Sequence, residues 1–420
     1  MQQRKYAMRG PEPIRAFLIS EIARYVNKRT NPLLVALYFG EAQLPKERDG
    51  GEMDTTNTSS RYATLDGLRG IGALFVLIQH FSLMYHAPAL DHAYLAVDLF
   101  FAMSGFVIGS AYDKKIASGS LKFHQYILLR VVRLYPLYLA GLALGVIAML
   151  VRLPASYWAE IASALPASML MLPSHVALPT FYPWQPAIDF SYPLDYPAWS
   201  LFFELVVSLG YGLFFRFLSA RALFLIMCVS GVALGIAAYT STLNSGAFWS
   251  SFYLGFARVG YSFPAGLLLY RHCRPGQSRN HLATAAVLLI VIGLLCVSWP
   301  AAHQHASDLF LALVVPPALV WVTTRVEPPA RLLRLCAFSG MVSYGIYAMH
   351  VPLEIILQEI VYHIHWLPHP GGVTALLLLP GVVLLAWATD RYYDTPLRRA
   401  VLARSRRRRT AAPFSSNARA

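Results

Sequence analysis

The chain has 420 residues, 56% of them hydrophobic and only 13% charged, and its mean hydropathy is +0.48. Ordinary soluble domains carry about 25% charged residues, so this composition excludes a soluble globular enzyme and indicates a membrane protein. The formal net charge of +14 sits in short segments between apolar runs and in the tail Arg406-Arg407-Arg408-Arg409, a pattern of topology and of contact with anionic membrane lipids; no nucleic acid partner is expected.

Residues 1–60 read as an N-terminal cytoplasmic extension and linker. Within it, Pro13 to Val26 has the pattern of an amphipathic helix lying on the inner surface, with a disordered leader as the alternative; Met1 to Gly10 is polar and lacks a signal-peptide core. After it come about ten apolar runs, each near the ~20 residues that one spanning helix needs. They cover residues 69–86, 94–112, 131–151, 197–218, 222–241, 252–270, 281–299, 307–324, 339–361 and 372–389.

The connectors between these runs alternate in charge. One set holds Lys114, Lys115, Lys122, Arg216, Arg221, Arg271, Arg274, Arg279, Arg325, Arg331 and Arg334, whereas the opposite set contains Arg152 and otherwise only histidines. By the positive-inside rule the predicted fold is an all-α polytopic membrane protein of about ten transmembrane helices with both termini cytoplasmic. Residues 61–399 form its transmembrane domain and 400–420 a basic cytoplasmic tail, in a cell membrane, either inner or plasma. The longest outer connector, 152–196, is almost uncharged and rich in Pro, Trp and Tyr, and suits a cap over an outward-facing cavity. Cys228, Cys273, Cys296 and Cys336 are scattered without ligand spacing, so they read as packing residues and no metal is expected.

Several runs carry groups that hydrocarbon should reject: Gln79 and His80; Asp98 and Ser104; Trp199, Ser200 and Glu204; Arg258; and Tyr344, Tyr347 and His350. Polar groups on this many helices imply a shared polar interior. His80 follows Arg69 by eleven residues, roughly 16 Å along a helix, which would set the guanidinium at the membrane edge and the imidazole near the middle. An imidazole titrates near 6.5 in isolation and suits proton transfer from a hydroxyl, with Asp98 or Glu204 as the group that orients it. Arg258 would balance those carboxylates or bind substrate.

In Arg130-Val131-Val132-Arg133-Leu134-Tyr135-Pro136 the two arginines share a helix face and can grip one anionic ligand, although topological anchoring explains them equally simply. Neither a Walker A loop nor a GxGxxG fingerprint is present.

Taken in order, these motifs resemble the acyltransferase-3 family of integral membrane acyltransferases. The resemblance rests on Leu65-Asp66-Gly67-Leu68-Arg69-Gly70 with His80, on Val97-Asp98-Leu99-Phe100-Phe101 leading to Ser104-Gly105-Phe106, and on Arg130-x-x-Arg133-Leu134-Tyr135-Pro136. It continues through Trp199-Ser200-Leu201 with Glu204 and Ser343-Tyr344-Gly345-Ile346-Tyr347 with His350. Together they run from about Tyr62 to Arg399. The resemblance implies transfer of an acyl group, most often acetyl, from cytoplasmic acyl-CoA to a carbohydrate hydroxyl on the outer side, as in O-acetylation of cell-surface polysaccharide.

It further implies catalytic roles for His80 and Arg69, with Asp98 and Glu204 beside them, and acyl-CoA contact at Arg130 and Arg133. Asp66, Ser104, Trp199, Arg258, Tyr347 and His350 are expected around substrate. Where the family often has Glu-x-Pro near the last helix, this chain has Asp394-Thr395-Pro396. A transporter exporting a polar small molecule through the same interior is the competing reading, and it would tolerate loss of the Arg130/Arg133 pair.

Overall fold

The structure is a computed structural model that describes residues 62–84, 92–179, 189–273, 304–363 and 372–410, with isolated residues between 278 and 293. The expectations for residues 1–60, most of the run 281–299, part of the 152–196 connector and the end of the tail lie outside the described residues.

The described chain is helical. In order it forms α1 (Ala63–Met84), α2 (Ala96–Ala117), α3 (Phe123–Arg152), α4 (Trp158–Met169), α5 (Ala198–Leu213), α6 (Ala220–Thr240), α7 (Phe252–His272), α8 (Gln304–Leu313), α9 (Val315–Thr323), α10 (Ala330–His363), α11 (Gly372–Thr389) and α12 (Thr395–Thr410). A short π-helical turn, Asp390–Asp394, joins the last two. Two-residue strands, β1 (Ser278–Arg279) and β2 (Val326–Glu327), pair in parallel.

Among the described residues, five helical stretches are long and apolar enough to cross a membrane: Ala93–Ala117, Phe123–Arg152, Ala220–Thr240, Gln304–Thr323 and Ala330–Val361. The protein is an all-α membrane protein. α6 shows why, since Phe224, Val229, Val232 and Ile236 are each at least 60% exposed. A helix apolar on its outer face as well as its inner one is built for lipid.

The expected single run over 307–324 is two helices, α8 and α9, meeting at Val314. Pro316 and Pro317 follow at once; neither has an N–H to donate, so the first turn of a new helix accommodates them and a helix interior does not.

Small residues set the packing. α2 and α7 touch backbone to backbone, because Gly105 meets the carbonyl of Phe263 and Gly266 that of Ala102, where any Cβ would collide. Close approach through small residues is the usual basis of helix association in lipid, where apolar burial alone gives no preference for protein over lipid. α1 and α10 meet in the same way. Gly70 lies against Ser339, and a Cβ on Gly340 would come within 2.6 Å of the Asp66 Cβ. Gly67 beside Cys336 and the imidazole contact of His80 with His350 show that these two helices run in parallel register.

Asp394 is fully buried and ion-pairs with Arg398 one turn later. The Asp-Thr-Pro sequence therefore anchors the junction of the π-helical turn with α12.

Candidate functional site

The polar interior of this bundle is layered. Toward the end carrying Lys114, Lys115 and Arg271, α1, α2, α3, α5 and α10 surround a cavity of about 810 Å³ including its open mouth. Arg69, Arg130 and Arg133 line it together with Ser104, Ser200, Glu204, Ser343, Tyr344 and Tyr347. Arg130 and Arg133 reach the same space because residues three apart on a helix share a face. Arg69 joins them from α1, whose glycine contact with α10 brings it alongside Ser343 and Tyr344.

Three guanidiniums face one carboxylate in this cavity. Glu204 Oε1 accepts from Arg130 Nη2 at 3.1 Å and from Ser104 Oγ at 2.9 Å. Arg133 lies over the Tyr344 ring, 5.6 Å from its centroid. The guanidinium bonded to Glu204 is that of Arg130, and Arg69 and Arg133 line the same cavity. Buried cations are normally paired, so an excess of positive charge in a cavity marks a place for an anion. The planar guanidinium fork fits phosphate in particular.

Above the arginines stands Tyr347. Its hydroxyl lies 2.5 Å from Ser200 Oγ, and its ring meets Phe100 edge to face with centroids 5.6 Å apart. Beyond Tyr347, and outside the residues lining the cavity, come His350 and His80. The two imidazoles contact each other at 4.8 Å, nearly perpendicular, and Tyr196 closes the other side of His80 at 5.8 Å.

Both imidazoles are held by the backbone. His80 Nδ1 lies 2.8 Å from the Val76 carbonyl and His350 Nδ1 2.8 Å from that of Tyr347. A carbonyl only accepts, so in the neutral ring each Nδ1 carries the proton and each Nε2 keeps its lone pair for chemistry. His350 Nε2 is buried with no partner among the described residues.

The orientation of His80 differs from expectation. Asp98 does not reach it. Both Asp98 oxygens are taken by Arg258, at 3.1 Å from Nε and 2.7 Å from Nη2. Arg258 donates further to the carbonyls of Ser245 and Tyr94 and lies under the Trp199 ring at 5.2 Å. Asp98, Arg258 and Trp199 thus form a closed knot between α2, α5 and α7, beside the cavity. Glu204 is engaged with Arg130 and Ser104, so the Val76 carbonyl orients the imidazole in place of either carboxylate. Asp66 sits one turn before Arg69 at the α1–α10 contact.

Three further residues belong to this interior. Glu354 continues the inward stripe of α10, with Ser343, Tyr347, His350 and Glu354 at spacings of four, three and four. It is buried, and its Oε1 finds no partner among the described residues; the spacing alone was a sufficient signal. Asp195 precedes α5, is 2% exposed, and leaves both carboxylate oxygens without a hydrogen bond among the described residues. Burial raises its carboxyl well above the ordinary range. Phe100 lies between Leu99 and Phe101 in the motif, and nothing local distinguished it from these packing residues.

The stretch of chain that carries these groups is similar to known proteins. An acyltransferase domain family matches residues 62–391. "Protein 2 in picA locus" of Rhizobium radiobacter is 36% identical over 190 residues, 42% of this chain and 95% of that protein. No solved structure matches. The match spans the arginine cavity, the imidazole pair and the helices that carry them, and the chain belongs to the acyltransferase-3 family of membrane acyltransferases.

Proposed function

We propose that the protein transfers an acyl group, acetyl in the simplest case, from cytoplasmic acyl-CoA to a hydroxyl of an extracytoplasmic glycan or glycoside, across the inner or plasma membrane. The carrying observation is the line formed by the arginine cavity, Tyr347 and the His80–His350 pair. Arg69, Arg130 and Arg133 hold the phosphates of the donor and orient its thioester toward His80. The aromatic connector, with His175 stacked on Trp249 at 4.2 Å, suits the acceptor, because sugars stack on aromatic faces. Ten spanning helices with both termini on the basic side belong to the same proposal.

His80 Nε2 then does one of two things. As general base it takes the proton of the acceptor hydroxyl while that oxygen bonds to the acyl carbon; the carbon–sulfur bond breaks and the proton passes to the leaving thiolate. As nucleophile it bonds to the acyl carbon while the carbon–sulfur bond breaks and CoA leaves as thiolate; the acceptor oxygen then bonds to that carbon, the carbon–nitrogen bond breaks, and the hydroxyl proton passes to the thiolate. An acyl-histidine trapped with acyl-CoA alone selects the second route.

The test uses inside-out vesicles containing the full chain, labelled acetyl-CoA outside and host glycans within. Label is expected in luminal glycan with the wild type, and a loss of at least about 100-fold with His80→Ala, the range contributed by a positioned acid–base group. Equal labelling by both proteins overturns the role of His80. Absence of both labelling and CoA binding overturns acyl transfer and leaves export of a small anion as the reading of the cavity.

A further inference from the structure

Two rings in contact with each other, Phe100 and Tyr347, line the arginine cavity, and Tyr347 also meets His350 of the imidazole pair. We propose that Phe100 and Tyr347 form a size filter that admits short acyl groups and rejects long ones. The inference rests on the acyl-CoA reading above and adds to it a determinant of donor specificity.

The filter is built from four helices. Tyr347 projects from α10 and is tied through its hydroxyl to Ser200 of α5. Phe100 projects from α2 and is wedged on its far side by α1, where a Cβ added to Gly72 would come within 3.0 Å of the Phe100 ring. The two rings meet edge to face. Phe100, Ser200 and Tyr347 all line the cavity, while His350 lies on the other side of Tyr347 at 5.8 Å between centroids.

On this proposal, a thioester whose CoA phosphates rest on the arginines passes its carbonyl alongside this ring pair, which lines the cavity, to reach the imidazoles beyond Tyr347. The space there is bounded by a ring packed on both sides and by a ring held at its hydroxyl, so neither yields freely. A methyl group needs little room at that point. Each added methylene must displace one of the rings or fold back against Arg69 and Arg133, whose charged surroundings do not favour it.

The experiment measures displacement of labelled CoA from the full chain in nanodiscs by CoA, acetyl-CoA, butyryl-CoA and hexanoyl-CoA, each referred to unacylated CoA within the same protein. Transfer in vesicles with the same donors is read in parallel. The wild type should bind hexanoyl-CoA more weakly than acetyl-CoA. Phe100→Ala should raise the hexanoyl-to-acetyl ratio at least about tenfold, since each methylene newly buried is worth about fourfold in affinity. Tyr347→Phe, which removes only the tie to Ser200, should move the ratio in the same direction by less. Should Phe100→Ala fail to fold, Phe100→Leu carries the same expectation with a smaller shift.

Wild-type protein that accepts hexanoyl as well as acetyl, or variants that bind CoA with an unmoved ratio, overturn the filter while leaving acyl transfer intact. Wild type that binds no CoA at all overturns the acyl-CoA reading itself, and the filter with it.

Discussion

Among the arginine–carboxylate pairs of the described residues, Arg258–Asp98 and Arg130–Glu204 are built to opposite ends. Arg258 donates two hydrogen bonds to Asp98 and two more to backbone carbonyls, aromatic rings cover it, and both side chains are at most 2% exposed. Arg130 touches Glu204 through one nitrogen, its Nε has no partner among the described residues, and the Glu204 side chain is 21% exposed. The first pair satisfies its charges within the protein, whereas in the second Glu204 meets Ser104 and Arg130, and Arg69 and Arg133 bring further positive charge to the same cavity. Residue type alone does not separate a structural ion pair from a binding one; completeness of satisfaction does.

The largest effect should come from breaking the complete pair. Asp98→Ala leaves Arg258 buried and uncompensated and should destabilise the fold by about 3–5 kcal/mol, the usual cost of removing one partner of a buried pair. Thermal unfolding in detergent or nanodiscs measures it, and an unfolding temperature equal to wild type would mean that Arg258 finds another partner.

The incomplete pair should respond in binding. Arg130→Ala and Arg133→Ala should each weaken CoA affinity by about tenfold or more, in line with the loss of a charge-assisted contact. Their unfolding temperatures should fall by much less than that of Asp98→Ala. Arg133→Lys should recover only part of the affinity, because an ammonium lacks the planar fork. A transporter that uses these residues only as topological anchors would bind its substrate unchanged in all three variants.

Asp195 sharpens the contrast with the smallest effect, being a buried carboxyl whose two oxygens have no hydrogen-bond partner among the described residues. Its Oδ2 lies 3.3 Å from where a Cβ on Gly141 would stand, against the backbone of α3. Burial raises its folded-state pKa. Between the ordinary carboxylate value and the raised one, the folded state binds more protons than the unfolded state, so stability from this group is present at low pH and declines as pH rises through that window. Asp195→Asn should flatten the decline and leave the low-pH stability nearly unchanged. Unfolding midpoints of both proteins across pH check this, and parallel pH profiles would assign the buried carboxyl no titration in the window.

Arg69 and His80, and the Arg130/Arg133 pair, were legible from spacing alone, since eleven residues on one helix and three on another fix relative height and face. The polar stripe of α10 was equally open to reading, and only Glu354 was passed over. The chain order offered Arg258 as a balance for Asp98 and Glu204, which it is for Asp98, but left open which acid each cation takes and what orients the imidazole. Asp98 and Glu204 are both acids in apolar runs, and either is a sensible partner for an imidazole. Their true partners, Arg258 and Arg130, lie 160 and 74 residues away, and which of them is met depends on which helices are neighbours.

Composition and hydropathy, acting through the cost of exposing backbone to lipid, dictate a helical membrane protein, and helical periodicity dictates which polar groups share a face. Those are local consequences of each segment. Separation of the interior into an open cationic cavity, lined by the Phe100–Tyr347 ring pair, and a sealed ion pair is not local. It arises where Gly70, Gly105 and Gly266 let particular helices approach within backbone contact. Charge pairing falls off over a few ångströms, so the choice of neighbour decides which charges are satisfied and which remain available to a ligand.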